Sequence, residues 1–271
     1  MVVIKMKYVV SIVKSIMDNI PLTMNLAKND FKSKYASSLF GIIWAYAQPL
    51  MTIFVFWFVF QMGFKSAPVH DIPFILWFVP AYVPWIYFSD ILNSSASCML
   101  EYNYLVKKVQ FNVEVLPTVK IISAGFVHIF FIGFIVVMYA IYRIPLSISC
   151  IQVFYYTAAL TLLGFGLAML VSSITVIFKD LVPVISIILQ VGFWIIPICW
   201  NPETMEPWVM NVLKINPIYY IVSGYRDAFI YHIPFWEHPV YTGYFWSVTL
   251  VVFVLGCSVF AKLRPHFADE L

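Results

Sequence analysis

Six long stretches of this chain contain no lysine, arginine, aspartate or glutamate, and that feature limits what the chain can become. They lie between Lys34 and Lys65, Asp71 and Asp90, Lys120 and Arg143, Arg143 and Lys179, Asp180 and Glu203, and Glu237 and Lys262. Each is long enough for a helix across the hydrocarbon of a bilayer, which takes about 20 residues. A soluble fold would have to hide all six in one core. Only 11% of the 271 residues are charged, against about 25% in soluble domains, which is too little polar surface to cover such a core. Lipid is therefore the expected solvent, and helices are the default because each satisfies its own backbone hydrogen bonds. Weak alternation within the runs argues against a β-barrel.

The runs predict an all-α membrane protein with six transmembrane helices, at about 38–62, 73–96, 117–141, 147–177, 181–200 and 241–261. Residues 1–271 form a single transmembrane domain. An amphipathic interfacial segment at 6–35 precedes the six-span core at 38–261, and a tail at 262–271 follows it. An even number of spans places both termini on one side. Lys5, Lys7, Lys14, Lys28, Lys32, Lys34, Lys107, Lys108, Lys179, Lys262 and Arg264 gather on that side, against Lys65, Arg143, Lys214 and Arg226 on the other. Cytoplasmic loops carry the lysine and arginine excess, so both termini are expected inside. The N-terminus lacks a compact apolar run with a small-residue cleavage site, so no cleaved signal peptide is expected.

Three segments outside the runs carry pattern. Val9, Ile12, Val13, Ile16 and Ile20 recur at helical spacing among polar residues, which predicts an amphipathic helix that Pro21 breaks or kinks. It is either a plain membrane anchor or a mechanical element. The loop from Cys98 to Leu116 holds Glu101, Tyr102, Tyr104, Lys107, Lys108, Gln110, Phe111 and Glu114. It is either a solvated connection or a surface for a partner. The stretch from Asn201 to Val240 is semi-apolar and interrupted by Pro217 and Gly224, which suits short helices that dip back toward the membrane.

Several chemistries find no footing. No GxxxxGK[ST] loop is present for ATP, and no HExxH, GxSxG or paired-carboxylate motif appears. The five histidines are scattered and the four cysteines form no CxxC pair, so neither a catalytic nor a metal site is predicted. The cysteines read as small apolar fillers, with a Cys150–Cys199 disulfide as the alternative. Gly164 and Gly166 sit inside the fourth span, where small residues let helices approach closely. Only Asp90, Lys120 and His128 come near the membrane interior, where a charge costs about 3 kcal/mol on insertion scales. Asp90 and Lys120 fall near span ends, where snorkelling or mutual pairing suffices. His128, nearer mid-span, is expected to be a hydrogen-bonded packing residue, which leaves an ion-driven carrier little to work with.

Aromatic residues are in excess, at 19%. Trp77, Tyr82, Trp85 and Tyr87 fit interfacial belts. Trp44, Tyr46, Phe54, Phe56, Trp57, Phe58 and Phe60 run through the whole first span, and Phe193, Trp194 and Trp200 through the fifth. They are either lipid-facing bulk or ring faces lining a path for a sugar chain, whose apolar C–H faces pack on rings.

Asp30-Phe31-Lys32-Ser33-Lys34-Tyr35, Leu39-Phe40-Gly41, Trp44 and Gln48-Pro49-Leu50 resemble the entry to the first span of ABC-transporter permeases that export cell-surface polysaccharides. Tyr104-Leu105-Val106-Lys107-Lys108, Phe178-Lys179-Asp180, Asn216-Pro217-Ile218-Tyr219-Tyr220 and Gly224-Tyr225-Arg226-Asp227 extend the match, and Leu263 to Asp269 completes it. The details look closer to the teichoic-acid branch than to the O-antigen branch. The resemblance implies an ABC type-2 exporter fold in a bacterial cell membrane. Its partners would be a second copy of the chain, two ATP-binding cassette subunits that hold ATP and magnesium, membrane lipids and a polyprenyl-diphosphate-linked glycan, with no nucleic acid. No cofactor would sit in this chain. Coupling to the ATPase would involve Tyr35, Tyr104, Lys107, Lys108 and Phe111. The glycan would thread between the first and fifth spans of the two subunits, past Trp44, Tyr46, Phe54, Trp57, Phe193 and Trp194. Re-entrant outer helices at about Pro202 to Phe229, with Tyr219, Tyr220, Tyr225, Arg226 and Asp227, would gate the exit. The alternatives are an ABC exporter permease for a lipid or drug, and a membrane transferase acting on polyprenyl carriers.

Overall fold

The charge-free runs become helices. A computed structural model describes residues 2–36, 38–65, 69, 72–108 and 111–271, with backbone alone for 2–8. His70, Asp71, Gln110 and the side chains of Lys5 and Lys7 therefore lie outside the described residues. The elements are α1 (Val2–Asp18), α2 (Ile20–Ser33), α3 (Ile43–Phe56), α4 (Phe74–Glu101), α5 (Asn103–Val106) and α6 (Val115–Ile141). They continue as α7 (Gln152–Ile177), α8 (Leu181–Ile195), α9 (Pro207–Ile215), α10 (Pro217–Arg226), α11 (Pro239–Leu263) and α12 (Phe267–Glu270). A wider π turn extends α3 through Gly63.

Among the described residues, five helical stretches are long and apolar enough to cross a membrane: Ile43–Gly63, Phe74–Glu101, Val115–Ile141, Ile148–Ile177 and Pro239–Glu270. The expected fifth span, 181–200, is different. Its helix stops at Ile195 after 15 residues, a rise of about 22 Å against about 30 Å of hydrocarbon. Pro197 explains the stop, because the residue before a proline is driven to extended backbone, and Ile196 sits at φ −74°, ψ 135°. Two of the carbonyls around the break find side-chain donors. The Trp200 indole N–H donates to Trp194 O at 2.9 Å, and Arg226 Nη2 donates to Ile198 O at 3.0 Å.

α4 is the axis of the fold. It packs on α6, α7, α8 and α10, and 83% of its membrane-length window is buried, against 11% for α3. That position corrects the expectation for Trp77, Tyr82, Trp85 and Tyr87. All four are buried inside the bundle rather than placed in a lipid-facing belt. α7 crosses α11 where Gly166 and Gly256 meet: a Cβ on Gly256 would overlap the Gly166 carbonyl, and one on Gly166 would fall 2.8 Å from the Phe253 backbone. Gly164 allows Ile91 of α4 onto the other side of α7. All four cysteines are free.

Both termini share one end of the bundle, termed basal. There Ile12 of α1 packs in one cluster with Cys257, Phe260 and Phe267, and Arg264 pairs with Glu114 at the start of α6. α9 and α10 occupy the opposite, distal end. α10 is almost wholly buried, and Tyr225 reaches inward from it to His128, the middle residue of α6. The Tyr225 hydroxyl lies 2.9 Å from His128 Nε2 and 2.6 Å from Thr157 Oγ1, while the imidazole stacks on Tyr87 at 4.3 Å. His128 is thus the hydrogen-bonded packing residue that the sequence predicts.

Asp90 and Lys120 do not pair with each other. Each takes its partner from the N-terminal segment. Thr23, Ala27 and Asp30 form the buried face of α2, and Asp30 accepts from Lys120 Nζ at 2.6 Å and from the Tyr102 hydroxyl at 2.7 Å. Lys120 also donates to Glu101 at 2.6 Å. One turn beyond Asp30, Lys34 reaches Asp90 at 2.8 Å. Lys120 and Asp30 are each 7% exposed, and removing one partner of a buried pair leaves the other charge uncompensated, at a cost of about 3–5 kcal/mol. Lys120→Met should therefore lower the thermal stability of the protein in detergent sharply, and Lys120→Met with Asp30→Leu should recover most of the loss. A double variant no better than the single one would show that the pair is not what holds α2 in place.

Candidate functional site

A groove runs along the side of the bundle between α3, α4 and α8, and helical spacing places its lining. α4 contributes Tyr82, Trp85, Ser89 and Asn93, at steps of three or four residues that keep them on one face. α3 faces them with Ala45, Gln48, Thr52 and Phe56, at the same steps. Phe193 and Trp194 of α8 close the third side, and the volume enclosed is about 610 Å³. Ser186 of α8 donates to Asn93 Oδ1 at 2.9 Å, which ties α8 to α4 below the aromatic wall.

The groove is graded along its length. At the basal mouth stand Tyr35 and the Lys34–Asp90 pair. Burial pulls the Lys34 ammonium down, but the Asp90 carboxylate beside it outweighs that and leaves its pKa above the ordinary value. Around that pair stand Ser89 and Asn93 of α4 and Gln48 of α3, while Thr52 lies beside Tyr82 at the level of the rings. Further along, rings take over. Phe56 stacks on Phe78 at 4.7 Å and meets Phe193 edge-on at 5.7 Å, and Tyr82 lies 6.1 Å from Phe193. A surface with ring faces beside planar polar groups suits an amphipathic, hydroxyl-bearing ligand.

The predicted path residues divide between this groove and other faces. Phe193 and Trp194 line it. Trp44 packs on Phe40 at 5.8 Å and is half exposed, Tyr46 rests on Phe130 at 4.4 Å, and Phe54 meets Trp57 at 5.7 Å on another side of α3. The groove face of α3 is mostly small and polar, so selecting residues for aromatic character alone passes over Gln48 and Thr52.

At the basal end, Tyr104, Lys107 and Lys108 are exposed on and just after α5. Phe111 instead packs against the basal cluster, and Tyr35 faces the groove. Behind this surface, the links from Lys120 to Asp30 and Glu101 join α2 to α6 and α4. Burial and the hydrogen bond to Asp30 push the Tyr102 phenol well above its usual range. The sequence places Asp30 only in the motif before the first span and Glu101 only in the Cys98–Leu116 loop, with no pairing role for either, although Asp30 stands at helical spacing from Thr23 and Ala27. At the distal end, Tyr219, Tyr220, Arg226 and Asp227 border a second cavity, whereas Tyr225 points away from it into the bundle. Among the described residues no group of three His, Cys, Asp or Glu side chains is placed to hold a metal ion.

A family model described as "ABC-2 type transporter" matches residues 21–230. The chain is 24% identical over 252 residues to an O-antigen export system permease protein RfbA of Klebsiella pneumoniae, a match covering 92% of this chain and 95% of that one. A second Klebsiella pneumoniae protein of the same name is 22% identical at the same coverage. The Myxococcus xanthus RfbA permease is 25% identical over 256 residues, again with 92% and 95% covered. These relatives are named as permease proteins of export systems, which are transporter components rather than enzymes. With about three-quarters of its length inside the family match and nearly all of it aligned to export permeases, this multi-pass membrane chain belongs to the ABC-2 type transporter family.

Proposed function

We propose that the chain is the membrane subunit of an ATP-driven exporter that moves a polyprenyl-diphosphate-linked cell-surface glycan, of O-antigen or teichoic-acid type, from the cytoplasmic to the outer side of a bacterial membrane. The observation that carries this is the groove between α3, α4 and α8, with hydroxyl and amide groups set beside ring faces. A lipid or drug would be served by an apolar slot; Gln48, Thr52, Ser89 and Asn93 favour a hydroxyl-rich chain instead. The basal end is the cytoplasmic one by its lysine excess. The charged Lys34–Asp90 mouth then lies where a diphosphate headgroup meets the membrane surface.

The working unit is a pair of these chains with two ATP-binding cassette subunits, which hold ATP and magnesium. Support for pairing comes from the apolar residues that α3 and α8 leave exposed, among them Met51, Val55, Ile187 and Val191. A second copy placed against them would close the groove into a passage. On the cytoplasmic side the exposed Lys107, Lys108 and Tyr104 form the contact for the ATPase. The links from Lys120 to Asp30 and Glu101 would carry its movement to α2, α4 and α6.

Depletion of the chain should strip the surface glycan and leave its lipid-linked precursor inside the cell. Unchanged surface glycan, with no complex formed with an ATP-binding subunit, would refute the proposal. Lys107→Glu with Lys108→Glu should leave membrane insertion intact and cut export-coupled ATP hydrolysis by about tenfold or more, since like charges placed at an interface cost several kcal/mol. Export at the original rate would remove this loop from the mechanism. Trp194→Ala in the groove should slow export by about tenfold, the loss of one ring contact, whereas Trp44→Ala should change it less than about twofold. Equal losses in export and expression for both would favour a lipid-facing role.

A further inference from the structure

The distal cavity shares no lining residue with the groove. It encloses about 690 Å³, within the range of about 300–1,000 Å³ typical of small-ligand clefts. α9 and α10, the turn at 201–203 and the segment 231–241 form its walls.

The walls are braced before any ligand arrives. The Trp77 indole donates to the Tyr231 hydroxyl at 3.3 Å, and the Tyr220 hydroxyl lies 3.1 Å from that of Tyr155 and 3.0 Å from Thr242 Oγ1. Gln152 pins the segment after Tyr231, donating to Ile233 O at 2.8 Å and accepting from Phe235 N at 3.0 Å. Such bracing spares a ligand the cost of ordering the site.

The chemistry of the lining is balanced. Tyrosine rings, chiefly Tyr219 and Tyr241, stand beside Ser223, Asn201 and Asp227, and lysine and carboxylate groups occur together. Arg226 does not offer an anion site. It is 4% exposed, Nε and Nη2 donate to Trp77 O and Ile198 O, and the guanidinium lies 3.4 Å over the Trp77 ring. An anion would call for excess positive charge and a lipid tail for an apolar lining. Mixed donors and acceptors beside ring faces fit a polyhydroxylated ring.

We propose that this cavity is a saccharide-binding pocket, one per chain, that holds units of a neutral or weakly charged glycan beside the exit of the groove. It rests on the glycan-export function proposed above. A pocket there would take hold of the polymer as it leaves and oppose its backward slip between strokes.

The test is saturation-transfer NMR on the full chain with its ATP-binding subunit in lipid nanodiscs. The probe is the repeat-unit oligosaccharide released from the cell's own surface polymer, with inorganic phosphate as the anion control. Sugar-ring protons should receive saturation. Tyr219→Ala should weaken binding about tenfold, as expected for one lost ring, and Ser223→Leu, which fills the cavity, should abolish it. Trp208→Ala, which removes an exposed ring of α9 that lines neither the cavity nor the groove, should leave it unchanged. Loss of binding in Trp194→Ala but not in Ser223→Leu would place the sugar in the groove and overturn the pocket. Displacement by phosphate would make it an anion site. No oligosaccharide binding by a complex that still exports surface glycan would end the pocket and spare the exporter function. Surface glycan that persists without the chain would instead remove the function on which the pocket rests.

Discussion

Inside a bilayer no water is available to satisfy a stray polar group, and that constraint shapes this fold. Lys120 lies in an apolar helix and meets it by reaching out of α6 to Asp30 and Glu101. The consequence is architectural. α2 is bound to the bundle through a buried charge pair, and Lys34, one turn further on, is bound to Asp90 of α4. An amphipathic helix that otherwise would only rest on the membrane surface becomes part of the structure that lines the groove. The same constraint acts at the distal end, where the break after α8 is accommodated by Trp200 and Arg226 donating to carbonyls around it, and at mid-depth, where His128 is paired with Tyr225 and Thr157.

These attachments divide the molecule into parts suited to different motions. α4 is enclosed on nearly every side, whereas α3 is only lightly held and α8 is short and mostly exposed. The groove therefore lies between one fixed wall and two adaptable ones. A passage of that kind can widen by moving α3 and α8 without breaking the α4–α7–α11 core, where Gly164 admits Ile91 and Gly166 meets Gly256. The distal pocket is built on α10, which is buried and tied to α7 through tyrosine and threonine hydroxyls rather than to α3 or α8.

Much of this was legible in the amino-acid order. Charge-free runs marked the helices, the glycines of α7 marked a close crossing, and His128 was expected to be partnered in the protein. What the sequence withheld depends on which side of a helix meets protein. Lipid tails and packed side chains are equally apolar, so Trp77, Tyr82, Trp85 and Tyr87 could not be told from a lipid-facing belt until α4 proved central. For Asp90 and Lys120 the sequence left snorkelling and mutual pairing both open, because nothing local shows that Asp30 and Lys34 face them from α2. A groove lies between α3, α4 and α8 of one chain, and Gln48 and Thr52 rather than Trp44 and Phe54 face into it. The fifth run contained its own warning in Pro197, which stops α8 short.

The central claim, that the glycan travels through the groove between α3, α4 and α8, is most directly tested by a photo-reactive phenylalanine analogue placed at single positions during active export. Cross-links to glycan from positions 48 and 194, with none from 44 or 54, are the predicted result. Cross-links from 44 and 54 with silence at 48 and 194 would put the polymer on another face of α3 and contradict the account.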